Sequence, residues 1–446
     1  MSLVEAAIAV NRFGFGARPG QLETLADNPW DWLRAQIRQP AAPAGDLPLT
    51  RAGLDILIAV QKAPDEESRK PHQEEARALR DRDRVAHVQS AVASDTPFRE
   101  RLVKFWTNHF TVSYAQSYVV PFGGAYENEA IRPYATGRFR DLLGAVVKHP
   151  AMLFYLDNAR SVGPNSKGGK QAGLGLNENL GRELMELHTL GVDGGYNQRD
   201  VTSLARIITG WSIERGQKGP HGVPLGQPGT FVFNPNAHEP GTQSLLGISY
   251  PDNGVQQGRA ALRALASHPS TAKHIGYKLA RHFVADSPPP ALVARLTDTF
   301  TRTRGDLSAV YLALIGSDEA WNPELVKMRS PLEYVVALLR ASGERPKPQQ
   351  IAGTLHALGQ PIWNPPGPNG FSDKVDAWAS SEGLATRIDV ANLIAAATPG
   401  SDDPRRFARG ILGPLMSGHT DQAMARAANR KQALSLAYLS PEFQRR

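Results

Sequence analysis

The chain of 446 residues contains no cysteine. That absence removes a disulfide scaffold, a thiolate zinc site, an iron–sulfur cluster and a cysteine nucleophile together. It leaves the redox compartment open, since a cysteine-free chain tolerates either. No window approaches the roughly 18 apolar residues of a membrane-spanning helix. The stretch Met1 to Gly20 has a short apolar run but no basic residue ahead of it, carries Glu5 inside it and shows no A-x-A cleavage site. It therefore does not read as an export leader, and the expectation from sequence is a cytoplasmic protein. Charge of one sign is nowhere concentrated. Lys and Arg number 50 against 43 Asp and Glu, and the most charged stretch, 65–84, nearly cancels. Nucleic-acid binding needs a basic stripe interleaved with aromatics, so that class is set aside. Strand–helix alternation is missing, which excludes a parallel sheet. Neither HExxH nor GxSxG occurs, so the common zinc-protease and esterase signatures are absent.

Helical periodicity is what the chain does have, nearly throughout. Asn28 followed by Pro29 marks one helix start, and Thr96-Pro97 another, with Phe98, Leu102, Phe105, Trp106 and His109 on one stripe. Alanine-rich amphipathic stretches continue to the C-terminus and favour the helix intrinsically. The expectation is an all-α fold, predominantly helical, with about a dozen helices and one small β-hairpin, Thr230–Phe233 against Leu245–Tyr250. No composition break looks like a linker, so residues 1–446 are expected to form a single helical domain. Three Gly- or Pro-rich stretches stand out: 159–176, 215–228 and 361–373 (PIWNPPGPNGFSD). Loops of this length inside a compact unit are commonly functional.

The first loop contains Gly163 to Lys170, which resembles a phosphate loop only superficially. In either register a required Gly, Lys or Ser/Thr slot is wrongly filled. A mobile lid is the better expectation. The helix that follows, Asn177 to Leu190, is the densest polar block. Asn177 can cap it and Gly191 can end it. On a wheel of about 100° per residue, Leu180, Leu184 and Leu187 form the core stripe. Glu178, Arg182 and Glu186 form an i, i+4, i+8 ladder, for which surface ion pairs are the plain explanation. Glu183 falls between Leu187 and Leu190, so its carboxyl is expected to be largely buried and hydrogen-bonded to a basic or amide side chain. His188 lies on the opposite flank. The candidate catalytic residues are Glu183, Glu186 and Glu178. The candidate binding residues are Asn108, His109, Asp157, Asn158, Asn177, Asn179, Arg182, His188, His238 and Glu239. A metal site from Glu183, His188 and His238 can be imagined, but no spacing demands it, and no metal is expected. The cofactor is unknown.

Several segments occur in a familiar order: FWTNHF (105–110), LDN (156–158), NENLGRELMELHTLGVDGGY (177–196), ARIITGW (205–211), HEPG (238–241), HPSTAKHIGYKLARHFV (268–284) and LGQPIWNPPGPNGF (358–371). Together they resemble the bacterial family called domain of unknown function 1800 (DUF1800). The resemblance implies a helical fold, frequent export to the periplasm behind a leader, often of the twin-arginine kind, and a sulfatase-like neighbour as a possible partner. It names no activity. Two function classes follow. One is a hydrolase with Glu183 as acid or base, Glu178 or Glu186 as ionised partner and the 159–176 loop as lid. The other is a non-catalytic binding or assembly protein whose polar block stitches helices. They separate spatially. The first expects at least three of the segments carrying Asn108–His109, Asp157–Asn158, Asn177–Glu186 and His238–Glu239 to border one pocket.

Overall fold

The computed structural model describes residues 2–39, 42–172, 175–216, 225–400 and 403–446. Helix starts follow the local chemistry. Asn28 accepts from the Asp31 N–H ahead of the Pro29–Arg38 helix. Asn197 and Asp200 close a reciprocal capping box on Gln198–Ile207, and Ser330 and Glu333 close another on Pro331–Ser342. The fold is mostly helical, 62% helix and 4% strand, but with 23 helices among the described residues rather than about a dozen. The surplus comes from helices of four to eight residues, such as Gln21–Leu25 and Gly418–Ala425, too short to show a periodic stripe.

The single expected hairpin is two. Phe231–Phe233 pairs with Trp211–Ile213, with Trp211 opposite Phe233. Gln243–Leu245 pairs with Ile248–Tyr250. Two left-handed residues explain this. Gly210, at φ +76°, stops the helix at Ile207 and turns Trp211 into a strand. Leu246 and Gly247, at φ 52° and 74°, fold the 243–250 segment onto itself, so it never reaches Phe233.

One contiguous apolar cluster runs from Ala9 to Phe443. At its centre lies Pro97–His109, in which every residue except Asn108 is buried. Its charged side chains are therefore enclosed, and each needs a partner. Lys104 reaches Glu127 at 2.8 Å and Glu100 at 3.1 Å, while Arg132 holds both carboxylates. His87 adds a 2.6 Å bond to Glu127. Arg101 pairs with Glu333, which Arg446 also grips at 3.0 Å. No helix among the described residues is long and apolar enough to cross a membrane.

Candidate functional site

The C-terminal turn of Pro97–His109 holds down the proline-rich loop 361–373. Asn108, its one uncovered residue, donates through Nδ2 to the Phe371 carbonyl and accepts from the Phe371 N–H, both at 2.8 Å. Gly370 makes this possible. Its φ is +73°, and a Cβ there would sit 2.4 Å from the Asn108 carbonyl oxygen. The Trp363 carbonyl accepts from the Tyr114 N–H at 2.8 Å. So clamped, the loop delivers Asp373 to the last turn of the Pro269–Phe283 helix. There the Asp373 carboxylate lies 2.7 Å from His282 Nδ1. Lys327 donates to the Asp373 carbonyl and to Asp286, which fixes the loop's exit.

A cavity of about 90 Å³ opens beside this pair, lined among others by His282, Asp373, Thr107, Ser330, Gln360 and Trp363. A second, of about 220 Å³, lies behind a shared wall of Phe105, Asn108, Phe371, Ser372 and Asp373. A carboxylate can only accept, so His282 carries its proton on Nδ1 and leaves Nε2 as a lone pair. That Nε2 is buried and has no protein partner among the described residues. Burial drives the His282 pKa down to about 4, Arg446 and Arg101 push the same way, and Asp373 opposes them. Burial would raise Asp373, but His282, the bond to it, Lys327 and Lys278 together hold it well below the usual carboxylate range. Near neutral pH the pair is thus aspartate with neutral imidazole, the ring's orientation and tautomer fixed by the carboxylate.

The residues expected from sequence fall into two places. Asn108 and His109 line the second cavity, with Leu187 opposite. The others do not border either cavity. Asp157, at φ 57°, turns the chain so that buried Asn158 can donate to the Ile208 and Trp211 carbonyls at 3.2 and 3.1 Å. His238 Nδ1 donates to the Thr209 carbonyl at 2.9 Å, and the Glu239 N–H donates to Thr209 Oγ1 at 2.8 Å. The Glu239 carboxylate accepts from the Asn165 backbone and side chain at 2.9 and 2.6 Å. Gly163 and Gly168 donate to the Ala237 and Asn236 carbonyls, so the described part of the 159–176 loop is tied to this segment at several points. Its Gly173 and Leu174 lie outside the described residues, as does part of 215–228.

The polar helix also differs from its sequence reading. It is α-helical over Asn179–Glu183 and then widens into a π-turn over Leu184–His188. One extra residue in that turn slips the register, which buries His188 and leaves Leu187 half-buried at the cavity. Asn177 Oδ1 accepts from the Asn179 N–H at 2.9 Å, and Asn179 is otherwise exposed. Glu178 ties two helices, accepting from Thr202, Gln198 and Arg182 at 2.6, 2.8 and 3.2 Å. Glu183 and Glu186 are half-buried. Burial raises the Glu183 pKa, Glu186 adds to this and Arg182 opposes it. Against expectation, no hydrogen bond reaches the Glu183 carboxyl among the described residues, because it stands half-buried with only Arg182 and Glu186 as charged neighbours. No group of three His, Asp or Glu side chains among the described residues is placed to hold a metal ion.

Sequence reasoning passed over His282 and Asp373. A signal was present in HPSTAKHIGYKLARHFV. His274, Lys278 and His282 recur at i, i+4 and i+8, hence on one helix face, and Asp373 closes a loop rich in glycine and proline. What no spacing shows is that this face meets that loop.

Fold and site thus define a helical protein with a part-buried Asp–His pair beside two adjoining cavities. The chain belongs to the family described as "Protein of unknown function (DUF1800)", whose pattern matches residues 8–445. No curated protein and no solved structure matches it.

Proposed function

We propose that this chain is a hydrolytic enzyme, acting as one helical unit, in which His282 is the general base and Asp373 orients it. The observation that carries the reading is the 2.7 Å bond from His282 Nδ1 to a carboxylate, with Nε2 facing no protein partner beside a cavity. Water is the simplest proton donor for such a base. The walls mix aromatic Phe105, Trp363, Phe371 and Trp378 with polar Asn108 and Gln360, and the volume of about 90 Å³ admits a small polar group. This moves the acid–base role from the Glu183 helix to His282. The test is a panel of chromogenic esters, phosphates and glycosides, assayed with His282→Gln and Asp373→Asn. Each substitution should lower turnover by about 10²-fold or more. Turnover untouched by either change, or no turnover by the native chain across the panel, defeats the proposal.

The non-catalytic alternative is favoured by one observation: Glu178, Asn158, His238 and Glu239 are all engaged in joining one segment to another. On that reading His282→Gln changes nothing, and the protein co-purifies with a partner, the sulfatase-like neighbour being the one to try first.

A further inference from the structure

Four buried cations around the central helix are each paired with an acid. Arg101 has Glu333, Lys104 has Glu127, Arg132 has Glu100 and Lys327 has Asp286. The second cavity differs. Its wall carries Lys278 and Arg281 from the Pro269–Phe283 helix and Lys374 from the loop's end. Among the described residues none of these three side chains has a hydrogen bond or ion pair to a protein acceptor. Arg281 stacks over Tyr277 at 5.3 Å, which leaves its Nε buried and unpartnered. The one acid in the wall, Asp373, is already committed to His282. Three cations against one carboxylate leave an excess of two positive charges. Buried His109 lines the same cavity. Its Nε2 donates to the His188 carbonyl at 3.2 Å, and its Nδ1 has no partner. His274 donates to the Leu187 carbonyl at 3.1 Å and closes the far side.

We propose that this cavity binds a small oxyanion, a phosphate or sulfate group, held by Lys278 and Arg281 with Lys374 at the mouth. An Arg fork beside a Lys point charge is the donor set such tetrahedral dianions take. The volume of about 220 Å³ accommodates the group with a short substituent, so the anion is either free or the terminal group of a small molecule. The site stands on its own cations and does not depend on hydrolysis at His282.

The full chain is titrated calorimetrically at low ionic strength with inorganic phosphate, inorganic sulfate and a simple alkyl phosphate, with chloride as the ionic-strength control. Saturable 1:1 binding is expected for at least one of them. Inorganic ions alone binding means a free-ion site; the alkyl phosphate binding equally well or better means a terminal group. Lys278→Met and Arg281→Gln should each weaken binding at least tenfold. Lys273→Gln, exposed on the same helix, should change it less than twofold. Far-UV circular dichroism and Tm check that Lys278→Met folds; should it not, Arg281→Gln alone decides. No saturable binding of any of the three, or binding undiminished by loss of Lys278 or Arg281, overturns the proposal.

Discussion

Acidification should destabilise this protein through its buried histidines; His149, His188 and His282 set a lower bound on the effect, because burial also holds His274 down to about 4 and His109 well below its usual value. His149 and His188 are held down to about 3 by burial, Lys278 and His274 adding to it at His188. His282 is held down to about 4, mainly by burial. Each is neutral for a structural reason. His149 Nδ1 accepts from the Ala151 N–H at 3.1 Å and its Nε2 lies 2.9 Å from Thr50 Oγ1, so a second proton would break the helix cap. His188 has no partner at either nitrogen among the described residues. A depressed histidine pKa means that the unfolded chain takes up a proton as pH falls through about 6.5 while the folded chain does not. The stabilisation is complete above pH 6.5 and is lost as pH falls from there towards 4 to 3. At pH 5 all three folded values still lie below the pH, so each group has lost 1.5 pH units of linkage, or about 2 kcal/mol, and the three together about 6 kcal/mol. Asp83 works the other way. Burial pushes it up to about 6, against the Tyr114 and Gly124 hydrogen bonds, so it returns about 1.4 kcal/mol between pH 6 and 5. The net loss from these groups alone, about 4–5 kcal/mol, is a large share of an ordinary folding free energy of 5–15 kcal/mol. Glu127, Glu333 and Asp373, all held below the carboxylate range by their cations despite burial, add their own loss only below about pH 4.5. The assay is urea unfolding by circular dichroism at pH 7.5 and 5.0 and constant ionic strength. With m of roughly 4 kcal/mol/M for a chain this long, the midpoint should fall by at least about 1 M. His188→Leu removes a titrating group without removing a bond, and should shrink the loss by about 2 kcal/mol. A midpoint that stays level between the two pH values would refute the reasoning.

Other substitutions probe the loop and the polar helix. Asn108→Ala leaves the Phe371 N–H and carbonyl without their partners and should cost about 1–3 kcal/mol, with amide protection lost selectively over 361–373 in hydrogen exchange. Gly370→Ala meets both a left-handed φ of +73° and a backbone oxygen at 2.4 Å, and should lower stability by about 2 kcal/mol or more; a Tm equal to the native one would mean that the loop is not clamped here. Glu183→Gln should change stability by less than about 1 kcal/mol, since no hydrogen bond is lost, and should leave any turnover intact if His282 is the base. A Glu183→Gln protein that folds normally but is inactive would return the catalytic role to the Asn179–Glu183 helix.

What the sequence determined by itself is the local order. Asn28-Pro29, Asn197 with Asp200 and Ser330 with Glu333 mark helix starts because a cap is a contact between residues two or three apart. Gly191, at φ +85°, turns the chain just after the polar helix, which ends earlier, at His188. The family was legible in the motif order, and the match over 8–445 agrees with it. Tertiary structure decided the rest. The π-turn at Leu184–His188 moved His188 into the core, a slip that a wheel of constant pitch does not contain. Asn158, His238 and Glu239 met at the end of the Gln198–Ile207 helix because the loops that carry them pack there through backbone bonds. Asp373 reached His282 across 91 positions only because Gly370 lets the loop lie against Asn108. Side-chain type and spacing report on neighbours within a turn or two of helix; which distant faces come together is set by the packing of the whole core.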